Sequence, residues 1–164
     1  MGACASSGDW AAVYIPRSKP ATLPTCWLQT RRTSGMTSFE KIYANPDDLV
    51  PLLDQRRAGG ETIVFGNGCF DLIHVGHIRY LEAARALGDL LVIAVNTEAS
   101  IATNPNREPS INPCEKRMEV IAALEAVDYV VPLEAAIPSP LIELFRPHIQ
   151  AKGTDYDLEQ LPER

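Results

Sequence analysis

Two histidines flanking Val75 and Gly76 stand where an apolar run gives way to a helical pattern, and they are the residues best placed to do chemistry. Upstream, an apolar strand run ending at Phe65 leads into Gly66-Asn67-Gly68-Cys69-Phe70-Asp71, and His74 and His77 follow shortly after. A strand, a tight turn and a helix start in that order suit the grip of a polyphosphate, because the first amides of a helix are unpaired and its N-terminal end is positive. Imidazole N–H groups add donors, and glycine at 76 lets the backbone approach where a side chain would block it. A bare HxxH spacing also occurs in ordinary surface or core histidines; the strand-turn-helix setting favours the ligand reading. Zinc held by Cys69, His74 and His77 is a further option, weakened by irregular spacing and the want of a fourth ligand.

The block matches the HxGH signature at His74, Gly76 and His77, and on those residues the chain resembles the nucleotidyltransferase superfamily. The wider text is similar to one branch, the bacterial heptose 1-phosphate adenylyltransferases that make ADP-heptose. Asn67-Gly68-Cys69-Phe70-Asp71 carries that likeness, as does Asn112-Pro113 followed by Arg117 and then Ala123-Leu124-Glu125-Ala126-Val127-Asp128-Tyr129-Val130-Val131. Lys152-Gly153-Thr154-Asp155-Tyr156 adds to it, with Thr154 in place of a glycine. The likeness begins near Glu61 and runs to the end. It implies adenylyl transfer from ATP, with Mg2+, to D-glycero-D-manno-heptose 1-phosphate, giving ADP-heptose and pyrophosphate for surface-polysaccharide assembly. No sugar-kinase sequence accompanies it, so the likeness is to the stand-alone form.

In such a transfer the acceptor phosphate attacks in line, and charge gathers on the equatorial oxygens and the departing pyrophosphate. Catalysis is then mostly positioning plus fixed positive charge and hydrogen-bond donors. The resemblance assigns His74 and His77 to the triphosphate and the transition state, and a bound polyanion would favour their charged forms. It assigns Arg117 to the phosphates as a third catalytic residue, where the ordinary alternative is a solvated helix face. Gly66, Asn67, Gly68, Cys69, Phe70, Asp71 and Gly76 form the expected nucleotide-binding turn, with Phe70 packing in the core and Asp71 orienting the loop rather than acting as a base. Asn96, Lys152 and Asp155 are the expected substrate contacts; a lysine after an apolar strand is otherwise a snorkelling edge residue. The runner-up activity is a cytidylyltransferase for glycerol 3-phosphate or a similar alcohol phosphate. From another class comes a catalytically silent nucleotide-binding module.

The elements that must position these residues alternate. Asn45-Pro46-Asp47-Asp48 caps a helix striped by Leu49, Leu52 and Leu53 and stopped by Gly59-Gly60. Strands are predicted at 62–65, 90–95, 129–131 and 149–152, and helices at 76–87, from Asn112 to about 126, and at 138–145. Asn112-Pro113-Cys114-Glu115 reads as a capping box, with Asn112 as the cap, and 96–112 as a long polar loop. This is an α/β pattern, a Rossmann-like parallel sheet with flanking helices, and its ligands belong at the carboxyl ends of the strands.

The chain has 164 residues, 46% hydrophobic and 22% charged, enough for one core. Its net charge of −6 argues against nucleic acid or an anionic membrane as partner. No apolar run approaches the roughly eighteen residues that cross a bilayer. Cys4, Cys26, Cys69 and Cys114 form no CxxC pair, as suits reduced thiols and a cytoplasmic setting. Residues 1–38 carry +3 and the remainder −9, which marks an appended segment. Residues 1–37 read as a disordered N-terminal extension, with a transit peptide or an N-terminal lipidation signal at Gly2 and Cys4 as alternatives.

Two departures from the resembled family stand out. Its loop after the second strand usually carries a lysine, whereas here 101–106 hold none and Arg107 is the nearest cation. The family also continues into a fifth strand and a Gly-x-Ser-Thr-Thr segment, so 38–164 reads as a nucleotidyltransferase domain lacking its C-terminal strand and helix. The exposed sheet edge would then favour association as a homodimer.

Overall fold

The computed structural model describes residues 36–153 and, upstream of them, the strand Ala11–Ile15. Five parallel strands form one sheet: β1 (Ala11–Ile15), β2 (Ile63–Gly68), β3 (Leu90–Asn96), β4 (Tyr129–Leu133) and β5 (Ile149–Gly153), in the order β1-β5-β2-β3-β4. β3 shows why periodicity is absent from its sequence. Strands covered on both faces need no polar alternation, and each residue from Leu90 to Val95 is 2% exposed or less.

Helices α2 (Val75–Arg85) and α4 (Cys114–Ala122) cover one face, where Leu81, Ala84, Met118 and Ile121 pack on Val64, Leu91, Ile93, Val95 and Val130. Helices α1 (Val50–Ala58) and α5 (Ser139–Phe145) cover the other, where Leu53, Leu141, Ile142 and Phe145 meet Ile63, Phe65, Leu90, Val92 and Val131. The chain steps from β2 outward to β3 and β4, then returns to lay β5 on the far side of β2. That reversal opens a crevice between the carboxyl ends of β2 and β5, the place where open α/β sheets take their ligands.

Local chemistry accounts for most boundaries. Asn45 Oδ1 accepts the Asp47 amide at 3.3 Å and starts a 3-10 turn over Pro46–Leu49 that runs on into α1. Pro132 is tolerated in β4 because β4 is an edge strand. Beyond it, Ile42 adds a single bridge to Val130, which shortens the open edge.

The structure departs from the sequence reading at four points. Ala11–Ile15, expected in a disordered extension, form β1 and pair in parallel with Ile149–Gly153. The loop after β3 contains a short helix, α3 (Glu98–Ala102), because Thr97 Oγ1 caps the Ser100 amide. Asn112 is not the cap of α4: Pro113 occupies that position in extended backbone, and the Asn112 side chain turns to Asp71 instead. The helix ends at Ala122, four residues short of the expected limit.

Candidate active site

β2 stays paired to β3 through Gly68 but to β5 only through Gly66, so β2 and β5 part at their carboxyl ends. Two side chains bridge the gap. Lys152 Nζ donates to Asn67 Oδ1 at 3.2 Å, and Tyr80 Oη donates to the Ala151 carbonyl at 3.0 Å. Tyr80 passes directly over Gly66, where a Cβ would lie 2.5 Å from its hydroxyl oxygen. Gly66 therefore serves this packing.

After Gly68 the chain reverses at Phe70, whose φ of 49° is left-handed. The turn drives the Phe70 ring inward: it is 4% exposed, lies over Gly68 and meets His77 edge-on at a centroid distance of 5.4 Å. The Phe70 side chain, in the expected turn, is core as anticipated. Asp71 then fastens the turn to the loop before α4. Its carboxylate accepts the Ile111 amide at 2.7 Å and the Asn112 amide at 2.8 Å.

His74 is the N-cap of α2, its Nδ1 accepting the Gly76 amide at 3.1 Å. A Cβ on residue 76 would stand 2.8 Å from His74 Cε1, so glycine is required for this close approach. With Nδ1 an acceptor, the neutral ring carries its proton on Nε2, a donor available to a ligand. Protonating Nδ1 would set N–H against N–H and break the cap. The His74 and His77 rings lie 4.0 Å apart, a spacing at which two cations would repel.

Arg117, expected at the phosphates, is engaged by the protein itself. It is 1% exposed, and its N–H groups are directed at protein acceptors rather than at the crevice. Nε donates to Asn112 O at 2.8 Å, Nη1 to Cys69 O and Asn96 O, both at 2.7 Å, and Nη2 to Glu98 Oε1 at 2.9 Å. A guanidinium so engaged ties together the turn after β2, the end of β3 and the start of α4. In this arrangement it positions the site.

The structure thus gathers Asn67 with Lys152 and His74 with Gly76 and His77. The carbonyls of Cys69 and Asn96 meet on Arg117 below them. The Asn96 amide is committed inward, donating to Ser100 Oγ at 2.8 Å. Arg107 Nη1 rests on Cys69 Sγ. Asp155 lies outside the described residues. Tyr80 and Glu98 escaped the sequence reading, although Thr97-Glu98 before an apolar residue is a helix-start signal that points to α3.

Residues 65–160 match the family model described as cytidylyltransferase-like, a span that holds the turn, both histidines, Arg117 and Lys152. The chain belongs to the cytidylyltransferase-like family. Its relatives in that family include the bifunctional protein HldE of Hahella chejuensis, 50% identical over 115 residues, which are 70% of this chain and 24% of that protein. The bifunctional protein HldE of Aliivibrio fischeri is 38% identical over 159 residues, 97% of this chain and 33% of its own length. The chain therefore spans about a quarter to a third of these relatives. A crystal structure of the lipopolysaccharide core biosynthesis protein from Thermoplasma volcanium is 34% identical with a TM-score of 0.54, covering 62% of this chain and 84% of that one.

A pH dependence follows from Asp71. The Ile111 amide, and then the Asn112 amide, hold its carboxyl below the ordinary aspartate range. Its contribution is present above the unfolded value of about 3.9 and is lost as pH falls through the lower folded value. Acidification below pH ~4 should lower the protection of the Ile111 and Asn112 amides, giving faster exchange relative to the intrinsic rate at that pH, before the sheet opens. Asp71→Asn, with one acceptor oxygen for two amides, should show that faster exchange already at neutral pH. Equal protection in the variant and the wild type would refute the assignment.

Proposed function

We propose that the chain transfers the adenylyl group of Mg-ATP to D-glycero-D-manno-heptose 1-phosphate, giving ADP-heptose and pyrophosphate. The observation that carries this reading is the stacked His74–His77 pair at the start of α2, beside the crevice between β2 and β5. Mg2+ enters with the nucleotide as part of the substrate. The positive end of α2 and the His74 Nε2 donor face the triphosphate, and His77 offsets the negative charge that grows on the bridging and departing oxygens. Lys152, held to Asn67 at the end of β5, meets the acceptor phosphate across the crevice, with Asp155 following it in the chain. The attacking phosphate is already ionised at neutral pH, so no general base is required. The transferase domain on this reading is 38–164, with β1 added to its sheet from the preceding segment.

Sequence likeness to the heptose 1-phosphate branch supports the choice of acceptor and of ATP. The test is pyrophosphate release by purified protein with Mg2+ and heptose 1-phosphate, run with ATP and with CTP. ATP-dependent release is expected. Release with CTP alone would overturn the choice of nucleotide, and none with either from a folded protein would overturn the reading.

A further inference from the structure

We propose that Glu98 is a positioning residue of this site, acting through Arg117 to hold the histidine turn in line with the end of β3. The proposal deepens the adenylyl-transfer reading and rests on it for its kinetic arm. Glu98 opens α3, and a single carboxylate oxygen takes two donors: the Cys114 amide at 2.6 Å and Arg117 Nη2 at 2.9 Å. The pair is asymmetric, since the Arg117 side chain is 1% exposed and that of Glu98 57%. The remaining acceptors of Arg117 are neutral carbonyls, which orient the guanidinium without compensating its charge. Asp71 acts on it at longer range, through charge alone. Among the described residues Glu98 is thus the anion in direct contact, and it carries its charge at neutral pH. Its own backbone amide holds its carboxyl below the usual glutamate range, and Arg117 and the Cys114 amide add to the effect.

The three carbonyls belong to different parts of the site. Cys69 lies in the turn that leads to His74 and His77, Asn96 ends β3, and Asn112 precedes α4. Where Glu98 places the guanidinium, those three follow. In-line transfer depends on the relative placement of two reactants, and a shift of ~1 Å costs about 100-fold in rate. Nucleotide affinity draws on the local donors of α2, which Glu98 does not touch. Loss of Glu98 should therefore fall on kcat and spare KM.

Glu98→Ala is expected to lower kcat about 100-fold with KM for ATP within about threefold. Glu98→Gln keeps an acceptor oxygen at the same reach and should recover about tenfold of that loss. Asn45→Ala, which removes a helix cap far from the crevice, is the control for stability lost without misalignment and should keep its kcat. A Glu98→Ala kcat within about twofold of wild type, or a Gln variant no better than Ala, overturns the proposal. Hydrogen exchange across residues 68–77 separates this outcome from failure of the parent reading. Faster exchange in either Glu98 variant supports the positioning role even if no nucleotide is turned over, and unchanged exchange overturns it. If Glu98→Ala does not fold, the Gln variant carries both measurements.

Discussion

His77→Ala should lower kcat by about 100- to 1,000-fold, the range seen when one preorganised donor to a developing oxyanion is removed. The magnitude follows from how firmly the ring is placed. His77 is stacked on His74 at 4.0 Å on one side and meets the Phe70 ring at 5.4 Å on another, and Phe70 is itself locked into the core. A donor held this way needs no reorganisation when charge appears, and that is where its catalytic advantage over water lies. Ground-state binding of ATP should change little, because the positive end of α2 and the His74 Nε2 donor remain. His77→Gln restores an N–H at a comparable reach but not an added proton, so it should recover only part of the loss. Initial rates of pyrophosphate release across ATP concentrations, together with Tm as a check on folding, make the measurement. A His77→Ala kcat within about threefold of wild type would remove His77 from the chemistry.

What could be read from the chain and what could not divide along the range of the interactions. The unit β2-turn-α2 was legible because its signals are local: an apolar run, clustered glycines, then a helical pattern beginning at the histidine that caps it. The same holds for β3, whose continuous apolar text means burial on both faces. Arg117 was legible as important, but the partners that enclose it were not. Its acceptors lie 5, 19, 21 and 48 residues away, and no local pattern distinguishes an arginine that faces phosphate from one that gathers protein acceptors around it. Asn112 failed for a related reason. The capping-box text is sound by itself, but Asp71, 41 residues earlier, competes for the Asn112 side chain and wins it. β1 was invisible because five residues in a Ser- and Pro-rich segment carry no period of their own. Its register is set by β5, at the other end of the chain.

The fold and the role of Arg117 meet in the second large effect. Arg117→Ala should destabilise the protein by about 3–5 kcal/mol, since it leaves a carboxylate and buried carbonyls without the donor they surround. For a chain of this size that corresponds to a fall in Tm on the order of 10 °C. Arg117→Lys should rescue little, because one ammonium cannot reach Asn112 O, Cys69 O, Asn96 O and Glu98 from a single point, as a planar fork does. The opposing reading, in which Arg117 grips phosphate, predicts the reverse pattern: Tm preserved in both variants, ATP affinity lost in the alanine and largely kept in the lysine. Thermal unfolding with and without ATP distinguishes the two. A large drop in the apo Tm, with the ATP-induced increment retained wherever the variant still folds, assigns the arginine to the scaffold. An unchanged apo Tm with the increment abolished would return it to the phosphates. The burial of the guanidinium at 1% and the four protein bonds it already makes decide which result to expect, because a side chain so placed cannot turn to a ligand without opening the joint between β2, β3 and α4.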